Sequence, residues 1–258
     1  MDTIKVRSLS GFIQAVKKVR AQMGTGRDTW YRGISDDSYE LVPGTVWRNL
    51  DEHTHSGVLE EWLNEYLLYS GEELVDGYDV YALAQHYGLP TRLLDWTTSP
   101  LIALYFALEK KEERNKSVVW AIDPLGLNKI TMKWSGHLST ADRYLRNSYQ
   151  LERYLPEPLG GIDTENLLEG PIAIRVQPKN KRILSQKGCF TLHGTSKKKI
   201  DEILEPHGDK IAKIEINGEV NRKNILDELY VLGISEDSIF QDLDALSRRL
   251  KRTWEIKN

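Results

Sequence analysis

The sequence has one cysteine, no long hydrophobic run and little net charge, and each shortage removes a class of protein. Cys189 has no partner for an internal disulfide and cannot supply a zinc site with several thiolates, so we expect a reducing compartment. The longest apolar run, Leu101 to Leu108, is far shorter than the roughly 18 residues of a membrane-spanning helix. With 35 basic and 38 acidic side chains the net charge is −3, which gives no overall attraction to nucleic acid. These shortages predict a cytoplasmic protein with no membrane partner.

Common catalytic motifs are also missing. The sequence contains no Walker phosphate loop, serine-hydrolase elbow, zinc-protease helix or calcium loop. Gly24-Thr25-Gly26 follows a helical pattern rather than a strand, which favours a plain turn over a phosphate loop. A metal-dependent nuclease built on Asp95 and Asp123 has no supporting ligand spacing. We therefore expect no metal site.

The residues that are present predict a folded α+β domain. Hydrophobic residues make up 40% of the chain and charged residues 28%, as in globular proteins. Helical periodicity at both ends and alternating or apolar runs between them predict one domain over 1–258 with terminal helices. The segment 125–170, with a helix at 140–154, is interpreted as an insertion or lid. Strands are expected at 29–34, 117–122, 172–176, 188–192 and 211–216.

The first candidate site residue is Arg32, at the end of a predicted strand. A guanidinium there can present a bidentate fork to a phosphate, while Gly33 lets a ligand approach the backbone closely. The alternative is a surface arginine paired with Asp36 or Asp37. The tripeptide does not decide between the two.

Three hydroxyl residues, Thr97, Thr98 and Ser99, precede an apolar helix that begins with Pro100. This pattern is typical of a helix cap, and it accounts for at least one of the hydroxyls. A helix N-terminus also carries free amide donors and partial positive charge, so an anionic ligand can bind there. For the nearby residues Arg92 and Asp95, the favoured interpretation is an ion pair across a turn.

Two further candidates are His86 and Gln186. His86 stands at a predicted helix end, where a packing role and a catalytic role both remain open. Gln186 precedes a predicted strand, and its amide can both donate and accept hydrogen bonds. An exposed strand-edge position is the alternative for Gln186.

At these residues the chain resembles the FRG domain family, which is named for a tripeptide of an aromatic residue, arginine and glycine. The tripeptide here is Tyr31-Arg32-Gly33, and the long block from Gln85 to Thr97 is the most specific part of the resemblance. Further matching segments are Leu41-Val42-Pro43 with Trp47-Arg48, Gln186 to Phe190, Leu232 to Ile234 and Ile239 to Asp244.

A looser resemblance connects the chain to ADP-ribosyltransferases of the Arg-Ser-Glu class. The similarity lies in the order of three features along the chain. An Arg-Gly pair stands at a strand end, a triplet of hydroxyl residues then opens an apolar helix, and a polar residue precedes a late strand. The resemblance implies a split pair of small sheets flanked by helices that clamps NAD. It implies that Arg32 and Gly33 bind NAD, with Thr97, Thr98 and Ser99 shaping the nicotinamide pocket.

The catalytic position of that class departs from the pattern. The resemblance puts Gln186 where the family has a catalytic glutamate, and a neutral amide cannot stabilise the positive charge of an oxocarbenium-like transition state as a carboxylate does. Glu215 is an alternative source of that carboxylate.

Two functions follow from the resemblance. The first is an enzyme that transfers ADP-ribose from NAD to a protein or nucleic-acid acceptor, or hydrolyses NAD, as a bacterial defence or toxin effector. The second is a non-catalytic module that binds a nucleotide, nucleic acid or protein on the same scaffold.

Overall fold

The structure is a computed structural model of the chain. It describes residues 3–24, 28–71, 74, 76–110, 116–134, 136, 138–148, 151–161, 168–177, 181–217 and 219–256. The predicted turn at Gly24-Thr25-Gly26 falls largely outside these ranges, since only Gly24 is described, as the left-handed cap that ends the first helix.

The described strands form one eight-stranded mixed sheet in the order β1-β8-β4-β2-β3-β7-β6-β5. The α+β class is therefore confirmed. The strands are β1 (Thr3–Val6), β2 (Trp30–Ile34), β3 (Leu93–Thr97), β4 (Ser117–Ile122), β5 (Leu138–Ser139), β6 (Ile172–Arg175), β7 (Gly188–Leu192) and β8 (Ile211–Ile216).

The sheet has a weak point in its middle. β2 pairs with β4 along all five of its residues, but within the two described strands it pairs with β3 only through Tyr31 and Thr97. The sheet thus consists of two four-stranded halves joined at one residue pair. Instead of the expected split pair of small sheets, hydrogen bonding runs through one continuous sheet.

Helices cover both faces of the sheet. Residues of α1, α5 and α10 pack against β2, β4 and β8, and residues of α3 and α4 pack against β3, β6 and β7. The opposite face holds Trp30, Trp96 and Trp120. The helices are α1 (Leu9–Met23), α2 (Gly44–Trp47), α3 (Glu52–Ser70), α4 (Gly77–His86), α5 (Pro100–Glu109), α6 (Pro124–Met132), α7 (Arg143–Ser148), α8 (Lys181–Ser185), α9 (Ile200–Leu204), α10 (Glu219–Val231), α11 (Glu236–Phe240) and α12 (Leu243–Thr253).

The structure corrects the predicted helix at 140–154. The described part of this range holds the short helix α7 and a separate 3-10 turn at Leu151–Tyr154. Leu151 and Tyr154 are buried in the core, and β5 adds a strand to the sheet edge. The segment 125–170 therefore contributes directly to the packed core.

In the part of the chain that the structure describes, no helix is both long enough and apolar enough to cross a membrane.

Candidate active site

The candidate site lies where β2 and β3 separate, and Arg32 spans the gap. Its Nη1 donates to the backbone oxygen of Asp95 at 2.8 Å and lies 4.0 Å from the Asp95 carboxylate. The Nε atom is buried and has no hydrogen-bond partner among the described residues. Burial lowers the pKa of Arg32, and the Asp95 charge opposes that shift. The guanidinium thus keeps donor capacity for an anion.

Asp95 is the exposed carboxylate of this gap. Its side chain is 59% exposed, and one oxygen accepts the Nε2 amide of Gln85 at 2.9 Å. The Oε1 atom of Gln85 in turn accepts the hydroxyl of Thr91. This relay fixes the direction of the Asp95 carboxylate without neutralising it.

The predicted pairing of Arg92 with Asp95 is wrong. Arg92 is buried, and its Nη2 lies 3.6 Å from Glu52 Oε1 on α3. Arg92 directly precedes β3, whereas Asp95 is the central residue of that strand, so no turn brings their side chains together. Asp95 contacts Arg32 instead, and no ion pair with Asp36 or Asp37 holds Arg32 among the described residues.

Thr97 connects the hydroxyl segment 97–99 with the turn that contains Gln186. Its hydroxyl donates to the backbone oxygen of Gln186 at 2.7 Å and accepts the backbone N–H of Ser99 at 3.0 Å. The amide of Thr98 also donates to the oxygen of Lys187 at 3.1 Å. Segments 97–99 and 186–187 are therefore adjacent, as the resemblance requires.

The other two hydroxyls are left available at the start of α5. Ser99 is the N-cap residue and Pro100 occupies the first turn, as expected, but the Ser99 hydroxyl makes no capping bond. Among the described residues neither the Thr98 nor the Ser99 hydroxyl has a hydrogen-bond partner. Two half-buried hydroxyls consequently lie beside the positive end of a helix.

Gln186 lies in the turn between α8 and β7. Its backbone N–H donates to Arg182 and its oxygen accepts Thr97, so the turn is held from both sides. The side-chain Nε2 is buried without a partner in the described part of the chain. A buried N–H donor without a protein partner favours a hydrogen bond to an oxygen atom of a bound ligand.

Gly33 has a packing reason to be glycine. A Cβ atom there would lie 1.8 Å from the backbone oxygen of Ala103, because α5 crosses β2 at this point. The helix therefore occupies the space on that side of Gly33. Its predicted contact with NAD stays a prediction.

His86 stands at the end of α4 and lines a pocket of about 450 Å³ next to the gap. Burial, and then the positive charge of Arg182, lower the pKa of His86, while Asp95 and Asp242 act in the opposite direction. The imidazole is therefore neutral at neutral pH.

The structure separates Glu215 from these residues. Glu215 is buried on β8, two strands away from β2 in the sheet order, and its carboxylate lies 3.4 Å from Lys116 Nζ.

The carboxylate of Asp123 is engaged in the structure, since it caps α6 and pairs with Lys210 at 2.8 Å. Within the described residues, no group of three or more His, Cys, Asp or Glu side chains is arranged to hold a metal ion.

Comparison with protein families gives one match, to the FRG domain over residues 27–116. Residues 27–116 therefore carry an FRG domain. The matched FRG range includes Arg32, His86, Asp95 and the 97–99 triplet, whereas Gln186 lies beyond it. No curated protein and no solved structure matches the chain.

Sequence reasoning did not connect Asp95 and Gln85 with Arg32, although both belong to the block identified as most specific. The missing signal was a strand at Leu93–Thr97. Four of its five residues are buried, so the usual alternation of polar and apolar residues is absent. The single exposed position in that strand is Asp95, and a lone carboxylate in a buried strand is the signal that could have identified it.

Proposed function

We propose that the gap between β2 and β3 binds NAD, and that the protein transfers ADP-ribose to an acceptor or hydrolyses NAD. One observation carries the proposal: the Arg32 guanidinium bridges the two halves of the sheet, from β2 to the backbone oxygen of Asp95 on β3, the strand that leads into the N-terminus of α5. This arrangement suits a pyrophosphate, because guanidinium groups and helix N-termini are the usual protein partners of phosphate oxygens. The unbonded hydroxyls of Thr98 and Ser99 lie at the same helix start.

In this proposal Asp95 supplies the carboxylate. Cleavage of the nicotinamide–ribose bond develops positive charge on the ribose, and an adjacent carboxylate stabilises it. Gln186 has no charge to offer, and Glu215 is engaged with Lys116. Asp95 is exposed, held in one orientation by Gln85 and near the cation that would bind the pyrophosphate. Gln186 then binds and orients a ribose hydroxyl through its amide.

Gln186 also favours a second function, which is binding of NAD without turnover. Loss of one preorganised electrostatic contact costs about 2.7 to 4 kcal/mol of barrier lowering. If Asp95 serves only to hold Arg32, the same gap binds a dinucleotide but does not cleave it. A non-catalytic module of this kind would retain every contact that the Arg32 region makes.

The experiment measures nicotinamide release from labelled NAD, with and without cell lysate as a source of acceptors, and an NAD-dependent thermal shift. We expect release by the wild type and a loss of about 100-fold or more in Arg32→Ala. The matched control is Arg175→Ala, which removes another strand arginine that pairs with an aspartate, Asp28. Arg175→Ala should behave as wild type.

Each outcome has one meaning. A thermal shift without nicotinamide release selects the binding module over the enzyme. Neither a shift nor release in the wild type overturns both functions. Equal losses in Arg32→Ala and Arg175→Ala would mean that Arg32 has no special role in binding.

A further inference from the structure

The pocket that His86 lines is connected to the proposed catalytic groups through neighbouring residues. It has a volume of about 450 Å³ and lies between the ends of α3 and α4, α8 and the turn from α11 to α12. His86 lines it and follows Gln85, which holds Asp95. Arg182 also lines it, and its backbone oxygen accepts the N–H of Gln186 at 2.9 Å. Through His86 and Arg182 the pocket therefore adjoins the residues that hold Asp95 and Gln186, and the charge of Asp95 acts on the pKa of His86.

Flat aromatic surfaces dominate the rim of the pocket. Tyr69 is 85% exposed and Tyr87 is 69% exposed, although both line a concave site. The ring of Phe240 is covered by the guanidinium groups of Arg182 at 4.8 Å and Arg248 at 5.4 Å. Exposed aromatic rings and ring-stacked guanidinium planes are the surfaces on which proteins stack nucleobases.

The charges of the wall favour an anionic ligand. The Asp242 carboxylate accepts the N–H of Ala245 as the cap of α12, and Asp79 is only 9% exposed. Lys181, by contrast, is exposed and has no ion pair within the described residues. The exposed Lys181 therefore offers a phosphate a cation, while one of the two carboxylates in the wall is engaged as a helix cap and the other is nearly buried.

We propose that this pocket binds the acceptor and that the acceptor is a nucleotide, either free or within a single strand. Its base stacks on Tyr87 and its phosphate lies near Lys181. This inference rests on the proposed ADP-ribose transfer.

The transfer step needs a base, and His86 lines the pocket on the side of Asp95. The bond from ribose C1′ to the nicotinamide nitrogen breaks, and its electron pair leaves with nicotinamide. A base nitrogen or ribose hydroxyl of the acceptor bonds to C1′, and the proton of that group passes to the imidazole. Because the pKa of His86 is lowered by burial and by Arg182, the imidazole is free to accept that proton at neutral pH.

The binding test uses no NAD, so it does not depend on turnover. Fluorescein-labelled single strands of about 12 nucleotides, as RNA and as DNA, are titrated by anisotropy, and free AMP, GMP, CMP and UMP compete. We expect Tyr87→Ala to weaken binding about tenfold and Tyr87→Phe to retain it, since stacking needs the ring and not the hydroxyl. Tyr39→Ala, which removes an exposed tyrosine that packs on Trp47 elsewhere, is the matched control. Competition by free nucleotides as strong as strand binding identifies a free nucleotide as the ligand, and strand binding alone identifies the polymer.

The transfer test follows the ADP-ribose label. We expect it on the nucleotide, and we expect His86→Gln to slow labelling at least tenfold while binding stays within about twofold. Label on protein only, equal behaviour of Tyr87→Ala and Tyr39→Ala, or no nucleotide binding overturns the inference, even if nicotinamide is released. Nucleotide binding without nicotinamide release instead overturns the proposed reaction, and with it the acceptor role.

Discussion

The guanidinium of Arg32 donates to the backbone oxygen of Asp95 at 2.8 Å, although the two residues are 63 positions apart in the chain. The bond crosses the point at which β2 and β3 stop pairing, so a side chain takes over from the backbone in joining the two halves of the sheet. It also brings the Arg32 guanidinium within 4.0 Å of the Asp95 carboxylate. The proposed chemistry depends on that arrangement.

Asp95→Asn should separate binding from turnover. Asn keeps an oxygen for the Gln85 amide but removes the charge, so we expect kcat for nicotinamide release to fall by about 100-fold while the NAD-induced thermal shift is retained. Glu215→Gln is the control, because it removes a carboxylate that pairs with Lys116 away from the gap. Unchanged kcat in Asp95→Asn would eliminate Asp95 as the catalytic carboxylate.

Thr97→Val and Thr98→Val should have opposite effects. Thr97→Val leaves the Gln186 oxygen and the Ser99 N–H without their partner, which should cost about 1–3 kcal/mol of unfolding free energy. Thr98→Val removes a hydroxyl with no partner in the described chain, so stability should change by less than about 0.5 kcal/mol while the NAD affinity falls. Urea unfolding and NAD titration of both variants measure the two effects. Equal stability of the two would show that the Thr97 bonds contribute nothing.

Gly33→Ala should destabilise the fold strongly. The added methyl group would lie 1.8 Å from the Ala103 oxygen, so α5 must move away from β2, at a cost of about 3 kcal/mol or more. Gly57→Ala is the matched control within α3, where a Cβ meets no atom within 4 Å. It should stabilise the protein by about 0.5–1 kcal/mol, because alanine favours a helix interior over glycine. Denaturant midpoints compare the two, and a Gly33→Ala variant as stable as wild type would contradict the observed helix position.

His193 predicts a loss of stability in acid. Complete burial lowers its pKa to about 3, so between that value and the ordinary imidazole pKa of about 6.5 the unfolded chain binds a proton that the folded chain does not. Stability from this group is therefore complete above about pH 6.5 and falls as the pH drops, by up to about 1.4 kcal/mol per pH unit.

Urea unfolding of the wild type and of His193→Gln between pH 5 and 7.5 tests this dependence, over a window taken from the two pKa values above. Gln lacks the titration, so its slope with pH should be shallower than that of the wild type. Identical slopes would mean that other groups cause the acid loss.

The sequence predicted the local elements that have a clear periodicity or a clear terminal residue. The strand around Arg32, the start of α5 at Ser99 and Pro100, and the end of α1 at Gly24 agree with the structure. The position of Arg32 within its strand was wrong, because Arg32 is the central residue of β2 and not its last. The caps of α1 and α4 are Ser8 and Asp76. Other good capping residues stand close to both in the sequence, and local pattern cannot decide between such neighbours.

The site was harder to predict because its central strand, β3, lacks the alternation of polar and apolar residues that usually identifies a strand. β3 is buried on both faces except at Asp95, so no alternation reveals it. Without β3, the partner of Arg32 could not be identified, and Arg92 was the nearest available cation for Asp95. The contact of Thr97 with Gln186 likewise joins residues 89 positions apart, and only the pairing of β3 with β7 brings them together.

The single pair between Tyr31 and Thr97 also sets how the two half-sheets can respond to a guest. In the described strands, backbone pairing between the half-sheets is limited to this pair, and the bond from Arg32 to the Asp95 oxygen and the packing of α5 on both β2 and β3 add to it. A ligand that contacts both β2 and β3 would add further bonds across this junction, so its binding should raise the free energy needed to separate the two halves.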